Sequence, residues 1–131
     1  MQGYHTLSEP QVPSGASFVK PDIVAWRDHH PPVVLDIQIC GDDNSELAYE
    51  AKVDKYSAVD ADLCSFLTAV TSNPVTSVLH RPLIITFRGV ISRRSLSGLR
   101  ELSLTDLDAS DLCLLALSGS ARVSAIFFGG T

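Results

Sequence analysis

Residues 20–40, KPDIVAWRDHHPPVVLDIQIC, decide the fold. Two apolar segments, residues 22–27 (DIVAWR) and 33–40 (VVLDIQIC), flank the polar stretch Asp28-His29-His30-Pro31-Pro32. Five of the eight residues in the second segment are Val, Ile or Leu, which makes it the strongest strand signal in the chain. Two prolines have no place inside a paired strand, so the polar stretch is a turn and the segments form a hairpin. Adjacent histidines at a hairpin tip point apart, so His29 and His30 read as a solvated turn and not as a metal pair. Strand periodicity sends Val34, Asp36 and Gln38 to one face and Leu35, Ile37 and Ile39 to the other. Asp36 is the anomaly. A carboxylate inside so apolar a strand costs several kcal/mol if unpaired, so a cation, a lysine or an arginine must neutralise it.

Downstream, Gly41-Asp42-Asp43-Asn44 closes the strand, and Asp43-x-x-Glu46 has capping-box spacing. A helix is expected over residues 45–70, with an apolar stripe of Ala48, Tyr56, Val59, Leu63, Phe66, Leu67 and Val70. Lys52 falls on that stripe between Ala48 and Tyr56, where it must either find a partner or reach past the sheet edge to water. Asn73-Pro74 ends the helix. Residues 83–87 (LIITF) form another strand, broken by Arg88-Gly89. Helices follow over residues 95–102 and 106–117, and ARVSAIFF (residues 121–128) reads equally as helix or strand. Upstream, residues 1–18 are rich in Gly, Ser, Pro and Gln and read as a flexible lead-in, with the domain proper over residues 19–131. The order β-β-α-β-α-α implies an α/β fold with a small mixed sheet flanked by helices.

With 131 residues the chain has room for one core. Its 45% hydrophobic and 19% charged content excludes a fully disordered chain. No apolar run approaches about 18 residues, so no spanning helix is expected. The opening MQGYHTLSEP lacks the basic and apolar regions of a secretory signal. Cys40, Cys64 and Cys113 show neither disulfide-framework nor zinc spacing and read as small hydrophobes in a reducing compartment. The net charge is −5, unevenly spread. Residues 80–100 hold five arginines and no acid, and residues 36–62 hold eight acids and two lysines. Such segregation fits either an acidic pole and a basic one or a solvated face with arginine stems covering apolar surface.

Asp22, Asp36 and Lys52 carry the candidate chemistry. A hairpin brings Asp22, at the start of the first strand, towards Asp36, and Lys52 projects inward from the next helix. Two carboxylates with a backbone carbonyl and water suit a hard divalent ion. Such an ion lowers the pKa of bound water and neutralises phosphate charge, while a lysine positions the nucleophile or stabilises developing charge. The same spacing also fits a buried Asp36–Lys52 ion pair with no catalytic role.

Three motifs carry a resemblance: Lys20-Pro21-Asp22, Asp36-Ile37-Gln38-Ile39, and Lys52-Val53-Asp54-Lys55-Tyr56. With the FRGV segment at residues 87–90 ahead of SGLREL, the chain from residue 20 onward resembles the restriction-like endonuclease domain of site-specific non-LTR retrotransposons that target ribosomal DNA. The resemblance implies the PD-(D/E)XK restriction-endonuclease-like fold, a mixed central sheet flanked by helices. In the commonest form of that fold a lysine lies two residues after the second acid. Here that position is Gln38, and in the retrotransposon family the lysine has moved to the following helix, where Lys52 lies. By resemblance Asp22 and Asp36, with the Ile37 carbonyl, bind magnesium, for which manganese can substitute, and Lys52 is catalytic. Lys20, Lys55, Tyr56, Arg88, Arg93 and Arg94 are the implied DNA contacts, with Lys55 and Tyr56 either touching backbone phosphate or packing beside the site. The implied partners are a double-stranded DNA target, the reverse transcriptase and other domains of one polyprotein, and indirectly the element RNA. The implied task is nicking target DNA to prime reverse transcription, in the nucleus and its nucleolus. The alternative is a nuclease-like module that no longer cuts and instead binds protein or nucleic acid.

Overall fold

A computed structural model describes residues 3–116 of the chain. Its strands are β1 (His5–Ser8), β2 (Val12–Ser14), β3 (Ser17–Val19), β4 (Ile23–Trp26), β5 (Val33–Leu35), β6 (Ile37–Cys40), β7 (Leu79–His80) and β8 (Leu83–Thr86). Its α-helices are α1 (Ser45–Ser57), α2 (Asp60–Thr71), α3 (Arg93–Glu101) and α4 (Asp106–Ala116). The segment at residues 121–128 lies outside the described residues.

The expected hairpin is β4 and β5, antiparallel with Ile23 opposite Leu35. His29 and His30 are exposed at its tip, His29 in the left-handed region at φ 65°. β5 ends at Leu35, and after Asp36 the chain resumes as β6. β5 and β6 together run parallel to β7 and β8, and the ladder continues through both breaks. Leu79, Arg81 and Leu83 donate their N–H groups to the carbonyls of Pro32, Val34 and Asp36 at 2.8–2.9 Å. Parallel neighbours need a long crossover, and α1 and α2 supply it.

The sheet buries both faces, as its near-continuous apolar strands require. Ile23, Ala25, Val33, Leu35, Ile37, Leu83 and Ile85 pack with Leu96 and Leu99 of α3 and with Leu104, Ala109 and Leu112. On the opposite face Val24 and Val34 pack with Tyr56 of α1 and Leu63 and Leu67 of α2. The mixed α/β class read from the sequence therefore stands, with helices on both sides of a mixed sheet. Edge protection comes from α3: Ser95 Oγ accepts the Ile84 N–H at 2.9 Å and donates to the Pro82 carbonyl at 2.8 Å. Among the described residues no helix is long and apolar enough to cross a membrane.

Three sequence expectations need correction. Residues 1–18 are not a flexible lead-in where they are described. β1 adds to the sheet beside β4, with Leu7 opposite Val24. β2 and β3 form a hairpin whose two-residue loop starts with Gly15 at φ 60°, a turn conformation that favours glycine. Val12 is fully buried, and Ser14 Oγ donates to Asp62 on α2 at 2.9 Å. The expected single helix over residues 45–70 is two helices. Val59, at φ −117° and ψ 23°, separates them, and Val70 is exposed. The break turns α2 so that Asp62 reaches Ser14 and Asp60 reaches His80 Nε2 at 2.6 Å. The Asp43 capping box does not form, since α1 begins after Asn44 with no side-chain cap.

If residues 5–19 belong to the core as described, Val12→Ala costs about 2 kcal/mol of stability, from lost transfer energy plus a cavity. Urea denaturation reads the difference, and an unchanged midpoint would show that this segment contributes nothing to the fold.

Candidate metal and catalytic site

Asp22 and Asp36 are joined by a crossed pair of main-chain hydrogen bonds. The Asp22 N–H donates to Asp36 Oδ1 at 3.0 Å, and the Ile37 N–H donates to Asp22 Oδ2 at 2.8 Å. The local sequence explains the arrangement. Extending the β4–β5 register by two residues sets Asp22 opposite Asp36 and Pro21 opposite Ile37. Proline has no N–H and cannot supply the next rung of a ladder. Side-chain carboxylates take over where the main-chain ladder stops, and β5 gives way to β6 there.

Lys52 completes the group. Its Nζ lies 2.5 Å from Asp36 Oδ2, with the lysine side chain 19% and the aspartate side chain 6% exposed. Ala48, Lys52 and Tyr56 recur every four residues on the inward side of α1, so the helix period alone aims the amine at the sheet. Ala48 and Tyr56 are buried on either side of it, and Lys52 escapes water only because Asp36 meets it.

Electrostatics follow from this crowding. Burial raises the Asp22 carboxyl to about 6, with the Ile37 N–H opposing. The Asp36 charge and a hydrogen bond to Asp36 raise it further, and Lys52 lowers it. The Tyr56 hydroxyl is pushed well above its usual range, first by burial and then by the charge of Asp36 and a hydrogen bond to it. Tyr56 therefore supports the buried carboxylate as a neutral donor. At 2% exposure it is packed in the core, in keeping with the second of the two roles implied by resemblance and not with a phosphate contact.

The donor set fits a hard divalent ion. Among the described residues no cluster of three or more His, Cys, Asp or Glu side chains could hold a metal. Here two carboxylates converge and a main-chain oxygen faces the same edge. The Asp36 carbonyl is turned to Leu83, so strand alternation turns the Ile37 peptide groups to the opposite edge, where its N–H meets Asp22. All-oxygen donors, few from protein and the rest from water, suit magnesium or manganese.

The remaining sequence-predicted residues are spread around this centre. Lys20 is exposed two residues before Asp22, with Glu9 Oε1 3.9 Å away. Lys55 is exposed, its Nζ 5.1 Å from the Tyr56 ring centre. Arg88 and Arg93 are exposed at the turn after β8 and at the start of α3. Arg94 is committed elsewhere. Its guanidinium lies 2.7 Å from Glu46 and 2.6 Å from Glu50 and stacks 4.1 Å from the Tyr49 ring centre. Arg81 and Arg100 likewise face Glu101 and Asp106. Three of the five arginines in residues 80–100 thus lie against acids, while Arg88 and Arg93 stay exposed. A separate cleft of about 600 Å³ opens between the β4–β5 turn and the end of α2, lined in part by Trp26, His29 and Asn73. It lies roughly 13 Å along the strand from Asp22, and none of the three central residues lines it.

No protein-family model matches the chain, and no curated protein matches it.

Protonated Asp22 favours the folded state without metal. Its raised pKa contributes stability that is complete below about 4 and is lost as pH rises through about 6. Asp22→Asn removes that titration and can still accept the Ile37 N–H. Urea denaturation in chelator should show the stability of Asp22→Asn relative to wild type growing between pH 4 and pH 7. A difference that stays constant over that window would contradict the assignment.

Proposed function

We propose that this chain is a magnesium-dependent DNA endonuclease domain of the PD-(D/E)XK restriction-endonuclease-like fold, of the kind carried by site-specific non-LTR retrotransposons. The observation that carries the reading is the meeting of Asp22, Asp36 and Lys52 at the break between β5 and β6. The motifs around these residues and a mixed sheet covered by helices on both faces support it. Asp22, Asp36 and the Ile37 carbonyl would hold the ion, which supplies charge neutralisation on phosphate and acidifies bound water. Lys52 contributes a positive charge to the scissile phosphate and orients the attacking water. Tyr56 keeps Asp36 in place from the core side. Cleavage leaves a 3′-hydroxyl, which a reverse transcriptase of the same polyprotein extends on element RNA in the nucleus.

Lys20, two residues before Asp22, and Lys55, three residues after Lys52, are exposed amines that would follow a DNA backbone, and Arg88 and Arg93 are exposed as well. The net charge of −5 fits a domain whose targeting is supplied by its parent protein. One observation favours the non-cutting alternative: the Asp36–Lys52 pair is complete without a metal.

A plasmid-nicking assay in magnesium separates the two readings. Asp22→Ala, Asp36→Ala and Lys52→Ala should each lower the nicking rate about a hundredfold or more. Nicking that survives in all three would refute the site, and a wild type that binds DNA but never nicks would favour the binding module. Replacing Lys20 and Lys55 together with alanine should weaken DNA binding evenly across sequences. The slope of log K against log salt should fall by about two. An unchanged slope would remove both lysines from the interface.

A further inference from the structure

We propose that Lys52 is a built-in competitor of the metal ion, so that loading the site requires its ammonium to leave Asp36. The inference rests on the nuclease reading above and concerns how that site is regulated. Asp36 is 4% exposed and has no access to bulk water as a counter-charge. Its Oδ1 accepts the Asp22 N–H, and its Oδ2 faces Lys52 Nζ at 2.5 Å. Asp22 in turn is anchored through Oδ2 to the Ile37 N–H. The oxygen of Asp36 that has no main-chain partner in this clasp is therefore the one the ammonium covers. A divalent cation drawn to Asp36 therefore competes with the ammonium for that oxygen.

A single positive charge at hydrogen-bond distance from that oxygen repels a second cation strongly, because the surrounding core screens charge poorly. The two cations satisfy the same requirement, neutralising a buried carboxylate, and do so in alternation. Without metal, Lys52 keeps Asp36 from being an isolated buried charge and the domain stays folded. With metal, the long and partly exposed side chain of Lys52 is released on the side open to solvent, where a phosphate can meet it. Metal binding thus changes Lys52 from a structural counter-ion into an available amine.

Calorimetric titration of Mn2+ into the metal-free protein, without DNA, tests this in wild type, Lys52→Met, Lys52→Gln and Asp36→Asn. Both lysine variants should bind Mn2+ about tenfold tighter or more than wild type, even though they are expected not to cut. Asp36→Asn should lose binding. Should the lysine variants fail to fold, wild type alone answers the question. The rate at which an amine-reactive anhydride modifies Lys52, read by mass spectrometry, should rise several-fold on adding Mn2+, with Lys20 as the internal reference. Equal Mn2+ affinity in wild type and the lysine variants would overturn the inference while leaving the nuclease reading intact. So would a Lys52 labelling rate unmoved by Mn2+ that the wild type binds. Absence of Asp36-dependent Mn2+ binding in every form would overturn both.

Discussion

The crossed clasp between Asp22 and Asp36 is the constraint on which the rest of the site depends. Each residue gives its side chain to the other strand's main chain at the point where Pro21 stops the ladder. The clasp sits at the break between β5 and β6 and ties both carboxylates to main-chain N–H groups, and α1 presents a cation to the buried Asp36. Ordinarily a buried ion pair is a weak source of stability, because desolvating two charges offsets most of their attraction.

Charge in this protein is organised locally. Acids and arginines that are separated along the chain meet across the α1–α3 contact, where Glu46 and Glu50, one helical turn apart, grip Arg94 over the face of Tyr49. Exposed pairs of this kind contribute little to stability, and their effect here is to withdraw arginines from any phosphate-binding surface. Beyond Lys52, which is paired with Asp36, the exposed lysines closest in sequence to the site residues are Lys20, just before β4, and Lys55 on α1. A duplex lying over the site would meet a short cationic patch, which is consistent with weak binding by the domain alone.

Features set by a single element were legible in the sequence. Period two along VVLDIQIC put Asp36 on the face opposite Leu35 and Ile37, and the helix period put Lys52 on the buried stripe. The hairpin followed from its prolines. Features set by contacts between elements were not legible. Ala58 and Val59 do not forbid a helix, and α1 ends there while Asp60 and Asp62 bond to His80 and Ser14. β2 offers Val12 as its one fully buried residue, so its Gly- and Ser-rich surroundings read as linker. Linear clustering of arginines carried no information about which acids would lie beside them. The role of Tyr56 could have been read from its place one turn after Lys52, where a side chain on the same stripe must face the same carboxylate.

The central claim is that one divalent ion sits between two strand-borne carboxylates, next to an amine from α1. A crystal structure of the wild-type domain grown with Mn2+, phased on manganese, tests it most directly. The account predicts an anomalous peak within bonding distance of Asp22, Asp36 and the Ile37 carbonyl, with Lys52 Nζ moved off Asp36 Oδ2. Full Mn2+ occupancy elsewhere, with Lys52 still seated on Asp36, would contradict it.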